Sequence, residues 1–96
     1  MRVLIVEDDA DQRKILAMVV RGHGHEAIEC ATLAEARAAE ACDLALVDRK
    51  LPDGDGLDLV RALPNAYLLT GDDGPHDDVR VLVKPVRPAE LDALLR

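Results

Sequence analysis

The sequence predicts an α/β fold in which a five-stranded parallel sheet carries helices on both faces. Two observations predict the architecture. Short apolar runs bounded by turn residues recur at 3–6, 44–47, 66–70 and 79–83, too short for buried helices but long enough for strands. Between them lie stretches whose apolar residues return at helical spacing, so strands and helices alternate. A third observation concerns function. Polar residues stand directly after the runs, and in open parallel sheets ligands bind beyond the carboxyl ends of the strands. The stretch 43–59, DLALVDRKLPDGDGLDL, organises the rest, because it delivers Asp48 from a buried run into a loop holding Pro52, Gly54 and Gly56.

Taken in order, Val3-Leu4-Ile5-Val6 is the first strand and ends in Glu7-Asp8-Asp9-Ala10-Asp11. Asp9 or Asp11 caps the next helix, in which Ile15, Leu16, Val19 and Val20 form an apolar stripe until Gly22 and Gly24 stop it. Glu26 to Cys30 alternates polar and apolar residues like an edge strand. Thr32 with Glu35 makes a capping box, opening an alanine-rich helix that extends to about Ala41. Leu44 to Val47 is the third strand. After Asp55-Gly56, Leu57, Leu59, Val60 and Leu63 make a short helix closed by Pro64. Ala66 to Thr70 is the fourth strand and Val79 to Val83 the fifth, followed by Lys84-Pro85. From Pro88 a last helix carries Leu91, Leu94 and Leu95. Between the fourth and fifth strands, Gly71 to Asp78 has no apolar stripe and holds glycine and proline, so no normal packed helix is expected there.

Ninety-six residues suit a single domain, 1–96, with no output domain, and bury roughly 60 to 68% of the unfolded surface. The net charge of -7 repels phosphate backbones and anionic lipid, and Tyr67 is the only aromatic residue, so stacking on bases is unavailable. Neither nucleic acid nor a membrane is an expected partner. Cys30 and Cys42 are too few and too isolated for a disulfide framework or zinc site. With no signal peptide or apolar span in view, a soluble cytoplasmic protein is expected. His23, His25 and His76 lack metal-ligand spacing and are expected at the surface.

Glu7, Asp8, Asp48, Thr70 and Lys84 all fall at carboxyl ends of predicted strands. Singly, each has a plainer reading, as a helix cap, a strand-end threonine or a solvated lysine. Together they form a chemical set. Carboxylates about 5 Å apart repel by roughly 3 kcal/mol per pair at an effective dielectric near 20, so the cluster calls for a cation, and magnesium suits hard carboxylate ligands. Asp48 could then attack phosphorus, with Lys84 and the Thr70 hydroxyl binding the other phosphoryl oxygens.

These residues resemble the receiver domain of two-component response regulators along the whole chain. VLIVEDD is similar to the family's first strand and acidic pair, placed on Glu7 and Asp8. GHEAIECATLAEA resembles its second strand and helix entry, DRKLPDGDGL its phosphoacceptor loop, and LLTG and LVKPV its threonine and lysine-proline signatures. The resemblance implies a flavodoxin-like sheet of strand order 2-1-3-4-5. It implies phosphoryl transfer to Asp48 from a histidine kinase or histidine phosphotransfer protein, and signalling to a downstream protein target or along a phosphorelay. It also implies Mg2+ bound by Asp8, Asp48 and the backbone carbonyl of Lys50, with Glu7 assisting through water, and a cis Lys84-Pro85 bond. Such a domain is not an enzyme beyond assisting its own phosphorylation and dephosphorylation.

Departures from the family pattern carry expectations of their own. The family's fourth helix is missing or reduced to a loop, and Val81 stands where an aromatic residue often reports phosphorylation alongside the threonine, here Thr70. The sheet is therefore expected to be partly uncovered near Leu68, Val81 and Val83, or covered by a partner. Lys50 and Asp72, two residues past the acceptor and the threonine, could pair across the phosphoryl group and lengthen its lifetime. Three rival readings compete with this one. A haloacid-dehalogenase-like phosphatase could find its paired aspartates in Asp9 and Asp11 but lacks the threonine and acidic pair it needs. A calcium loop around Asp53 to Gly56 has Leu51 and Ala62 where ligands belong. A pseudo-receiver adaptor that is never phosphorylated is the third.

Overall fold

The sheet is parallel and runs β2 (Glu26–Cys30), β1 (Arg2–Val6), β3 (Leu44–Asp48), β6 (Ala66–Thr70), β7 (Arg80–Val83), in a computed structural model that describes residues 1–71 and 78–96. This is the expected 2-1-3-4-5 order, renumbered because a small antiparallel hairpin, β4 (Lys50–Leu51) with β5 (Gly54–Asp55), intervenes. All five residues of β3 are buried, as a central strand flanked on both sides and covered on both faces requires. Helices α1 (Ala10–Gly22) and α4 (Pro88–Leu95) cover one face, over Val3, Ile5, Leu44, Leu46, Leu69 and Leu82. Helices α2 (Leu33–Ala38) and α3 (Gly56–Ala62) cover the other, over Leu4, Val6, Ala45, Val47 and Leu68. The alternation of those two sets along each strand is the two-residue period of a pleated sheet.

Asp9 caps α1, its Oδ1 accepting from the Asp11 and Gln12 amides. The expected stripe on this helix holds at Leu16, Val19 and Val20 and fails at Ile15. Ala17 and Val20 are buried, whereas Ile15 is 60% and Met18 70% exposed. Leu16, Ala17, Val19 and Val20 pack toward the sheet with Arg13 half-buried beside them, and Ala17 escapes a hydropathy reading because alanine marks the inner face weakly. Helix α2 ends at Ala38, short of Ala41, since Ala39 turns extended and the chain must reach back to β1, where the Asp43 amide donates to the Arg2 carbonyl. Strand β7 begins at Arg80 rather than Val79.

Among the described residues no helix lies between β6 and β7, but residues 72–77, Asp72 included, lie outside them, so the absent-helix reading falls mainly beyond what the structure describes. Leu68 is fully buried, contrary to the expected uncovered patch, because α3 contributes Leu59 and Val60 to its cluster; Val81 is half-buried and Val83 41% exposed.

Two of the histidines are not idle surface residues. His23 bonds the Val19 carbonyl through Nδ1 and Asp92 Oδ1 through Nε2, and His25 Nε2 meets the Leu95 carbonyl, so both tie α1 or its exit to α4. His76 lies outside the described residues. The Asp92 carboxylate, with the Val19 carbonyl, raises His23 above its ordinary 6.5, and the same contact, with Arg96, lowers Asp92 below 3.8. The stabilisation His23 gains as a cation is complete below 6.5 and is lost as pH rises through its raised value; that of Asp92 is present above 3.8. The melting-temperature difference between wild type and His23→Gln is therefore expected to be largest near about pH 5.5 and to shrink by about pH 8. A difference constant across that range in a thermal-denaturation series would refute the clasp.

Candidate phosphoacceptor site

Sheet register sets the site. Val6 pairs with Val47, so Glu7 and Asp48 follow side by side at the carboxyl edge. Thr70 pairs with Val83, and the next residue, Lys84, donates its amide to the Thr70 carbonyl at 2.8 Å. The peptide bond from Lys84 to Pro85 is cis. Glu7 is 2% and Asp48 7% exposed, Thr70 is also buried, and Asp8 stands in solvent.

Lys84 Nζ lies 2.9 Å from Glu7 Oε2, 3.0 Å from Asp48 Oδ1 and 3.4 Å from Gln12 Oε1. Three acceptors thus meet the three donors of one ammonium. Glu7 Oε1 also accepts the Asp9 amide. Burial raises Glu7 above the usual carboxylate range, helped by the Asp48 charge and opposed by the bond from Lys84. For Lys84, burial works against the charged form, but hydrogen bonds to Glu7 and Asp48 and the charges behind them outweigh it, leaving the ammonium above 10.5. An ammonium between two carboxylates offsets the repulsion between them in a site too dry to screen it.

Glu7, Asp8 and Asp48 each offer one oxygen within 4.8 Å of the others. The donor set is all carboxylate, one member is open to water, and the neighbouring cavity of about 600 Å³ is lined by Asp48, Arg49, Lys50, Thr70, Gly71 and Lys84. Hard oxygen donors beside an open cavity suit a magnesium ion that keeps part of its water. Lys50 sits at the base of the β4–β5 hairpin opposite Asp55, with an exposed side chain.

The loop carrying Lys50 is held tightly. The Gly56 amide donates to the Arg49 carbonyl at 2.7 Å, and a Cβ at Gly56 would lie 2.0 Å from the Asp48 carbonyl oxygen. Gly54 has φ +151, a conformation that favours glycine, and faces Leu33 of α2. Asp53 Oδ1 and Oδ2 accept the Leu33 and Ala34 amides at 2.9 and 3.0 Å.

The structure brings Glu7, Asp8, Asp48, Thr70 and Lys84 to one edge. It adds three residues outside the predicted site: Gln12 on Lys84, Arg13 donating from its guanidinium to the Glu7 carbonyl at 2.9 Å, and Asp53, which the sequence offered only to a calcium loop, on α2. Gln12 and Arg13 lie on the first turns of α1, four and five residues past the acidic pair, which is the available signal. Asp9, which the phosphatase reading needs as a catalytic partner, is occupied as a helix cap.

The sequence matches the response regulator receiver domain over residues 3–72. It is 41% identical over 92 residues to the virulence transcriptional regulatory protein PhoP of Salmonella typhimurium strain LT2, covering 85% of this chain and 41% of PhoP. It is 39% identical over 64 residues to the KDP operon transcriptional regulatory protein KdpE of Escherichia coli K12, covering 64% of this chain and 28% of KdpE. The chain thus spans less than half the length of these curated relatives. Among solved structures, a CheY-like receiver domain protein from Methanospirillum hungatei superposes with a TM-score of 0.86 at 28% identity, over 98% of this chain and 89% of that one. The receiver domain of the hybrid histidine kinase CckA gives 0.80 at 26% identity, covering 100% of each. With a family match across most of its length and a superposable fold, the chain belongs to the response regulator receiver domain family, the signalling domain of two-component systems.

Proposed function

We propose that this chain accepts a phosphoryl group on Asp48 from a phosphohistidine of a histidine kinase or histidine phosphotransfer protein. The observation that carries the reading is the reach of Lys84 across the sheet edge to Asp48 at 3.0 Å and Glu7 at 2.9 Å. Asp48 Oδ1 is oriented by that contact, and Oδ2 is the oxygen that attacks. As its electron pair forms the O–P bond, the P–N bond of the donor breaks and its electrons return to the imidazole. Lys84 and the Thr70 hydroxyl then bind phosphoryl oxygens, a charge-assisted contact of the kind that counts most in a partly dry cavity. Asp8, Asp48 and the Lys50 backbone carbonyl, with Glu7 through water, would hold Mg2+, whose charge offsets repulsion between carboxylates and phosphoryl oxygens. Lys50 and Asp72 would tune the phosphoryl lifetime from either side, and Thr70 would carry the switch with Val81 too small to report it.

The output would be contact with another protein, or transfer along a phosphorelay. No helix among the described residues is long and apolar enough to cross a membrane, and a cytoplasmic site of action accords with the proposed partners. Incubation with a small phosphodonor and Mg2+ is expected to add the mass of one phosphoryl group to wild type and none to Asp48→Asn, read by intact-mass spectrometry. An unmodified wild type would favour the adaptor instead, and turnover of unrelated phosphomonoesters would favour a phosphatase.

A further inference from the structure

Helix α2 has six residues and could not persist alone, and two-residue strands such as β4 and β5 are no more self-sufficient. They are joined at one side chain. Of the three amides that open α2, Thr32 Oγ1 accepts that of Glu35, and both remaining amides, of Leu33 and Ala34, go to the carboxylate of Asp53 at the tip of the β4–β5 hairpin. Those bonds hold Asp53 below the ordinary 3.8, so it is fully ionised at neutral pH. Under the tip, Leu51 and Leu33 are 9% and 3% exposed in the same cluster, and Gly54 runs against Leu33. At the base of the hairpin are Lys50, which lines the Asp48 cavity, and Asp55, which caps α3 through the Leu57 amide.

We infer that Asp53 is a positioning residue that buckles the phosphoacceptor loop to α2 and so fixes the backbone of 49–56 beside Asp48. The link rests on the proposed function only insofar as that backbone serves a phosphoryl group or magnesium; the mechanical coupling stands apart from it. Two readouts separate the two. Amide hydrogen exchange followed by NMR in Asp53→Ala is expected to accelerate about fivefold or more at Leu33 and Ala34, and also at Arg49 and Gly56. Thr32→Ala, which removes a cap from the same helix without touching the hairpin, should leave Arg49 and Gly56 within about twofold of wild type. Asp53→Asn keeps the size and one acceptor and should recover part of the loss, and it carries the test if the alanine variant fails to fold. Magnesium affinity, read from the Gly56 amide shift, should fall about fivefold in Asp53→Ala and less than twofold in Thr32→Ala. Unchanged exchange at Arg49 and Gly56 in Asp53→Ala, or an equal effect of Thr32→Ala there, overturns the inference. If wild type itself binds no magnesium, the phosphoacceptor reading is what fails, and exchange at Arg49 and Gly56 still decides for or against Asp53.

Discussion

Gly56→Ala is expected to lower the melting temperature by more than about 12 °C. The added methyl would sit 2.0 Å from the Asp48 carbonyl oxygen, 2.9 Å from Val47 Cγ1 and 3.0 Å from the Asp48 carbonyl carbon. Two of those three atoms are backbone at the end of the most buried strand, so no flexible side chain can swing aside. Overpacking a core costs about 1–3 kcal/mol where neighbours can give, and here the upper end is the minimum. At roughly 4–8 °C per kcal/mol for a domain this size, a 3 kcal/mol loss gives the stated shift. The variant that survives must move α3 away from β3, dragging Asp48 and the Arg49 carbonyl, which the Gly56 amide holds, with it. Phosphorylation should therefore fall with stability. Gly22→Ala is the control: nothing lies within 4 Å of a Cβ there, and at a helix end alanine should be neutral or stabilising by up to about 1 kcal/mol. A drop of only a few degrees in Gly56→Ala, measured by circular dichroism, would contradict the packing.

Lys84→Met should be nearly as damaging, with a different signature. It leaves Glu7, 2% exposed, beside Asp48 without a cation. Removing one partner of a buried pair costs about 3–5 kcal/mol; the Lys84 side chain is 26% exposed, so the lower figure, about 3 kcal/mol, applies at neutral pH. In wild type the Lys84 ammonium persists at every pH below 10.5 and is lost only as pH rises through its raised folded value, so at lower pH its contribution follows the charge on Glu7. In the variant Glu7 governs instead. Glu7 already lies above its ordinary 4.5 in wild type through burial, with the Lys84 bond holding it down; without that bond it rises further, and stability declines more steeply as pH rises from 4.5. The gap between wild type and Lys84→Met should thus widen from about pH 4.5 to about pH 7 in a denaturant series. Added Mg2+ should narrow the gap, because the variant offers the ion its carboxylates without a competing ammonium and so gains more from binding than wild type does. A gap that ignores both pH and magnesium would reduce Lys84 to a packing residue.

The sheet was legible because its strands are buried on both faces and so read as unbroken apolar runs ending where polar residues begin. That rule located Glu7, Asp48, Thr70 and Lys84 at one edge without knowledge of any contact. It found the inner face of α1 at Leu16, Val19 and Val20 but not its edges, since Ala17 buries little and Ile15 looks like core while standing in solvent. Nor could it reveal the β4–β5 hairpin, whose two-residue strands are too short to show a period. Asp53 was hidden for a further reason. It caps a helix that begins twenty residues earlier in the chain, whereas caps are recognisable in sequence only when they adjoin the helix they serve. His23 is exposed as expected, but its bond to Asp92 was hidden because that partner lies 69 positions away. The roles given to Lys50, Asp72 and Val81 come from family resemblance and stay proposals.

The ion pair between Glu7 and Lys84 joins residues 77 positions apart, and this has a consequence for the newborn chain. Synthesis proceeds from the amino end at about 5–20 residues per second, so the acidic edge is made first and its cation last. For most of translation Glu7 and Asp48 have no ammonium to share, and the β1–β3 pair that would bury them is disfavoured until β7 has left the ribosome. The site therefore cannot be assembled piecemeal. A nascent chain stalled before Lys84 should remain open to proteases that the finished domain resists, and the capacity to receive a signal should arrive with closure of the sheet's last edge.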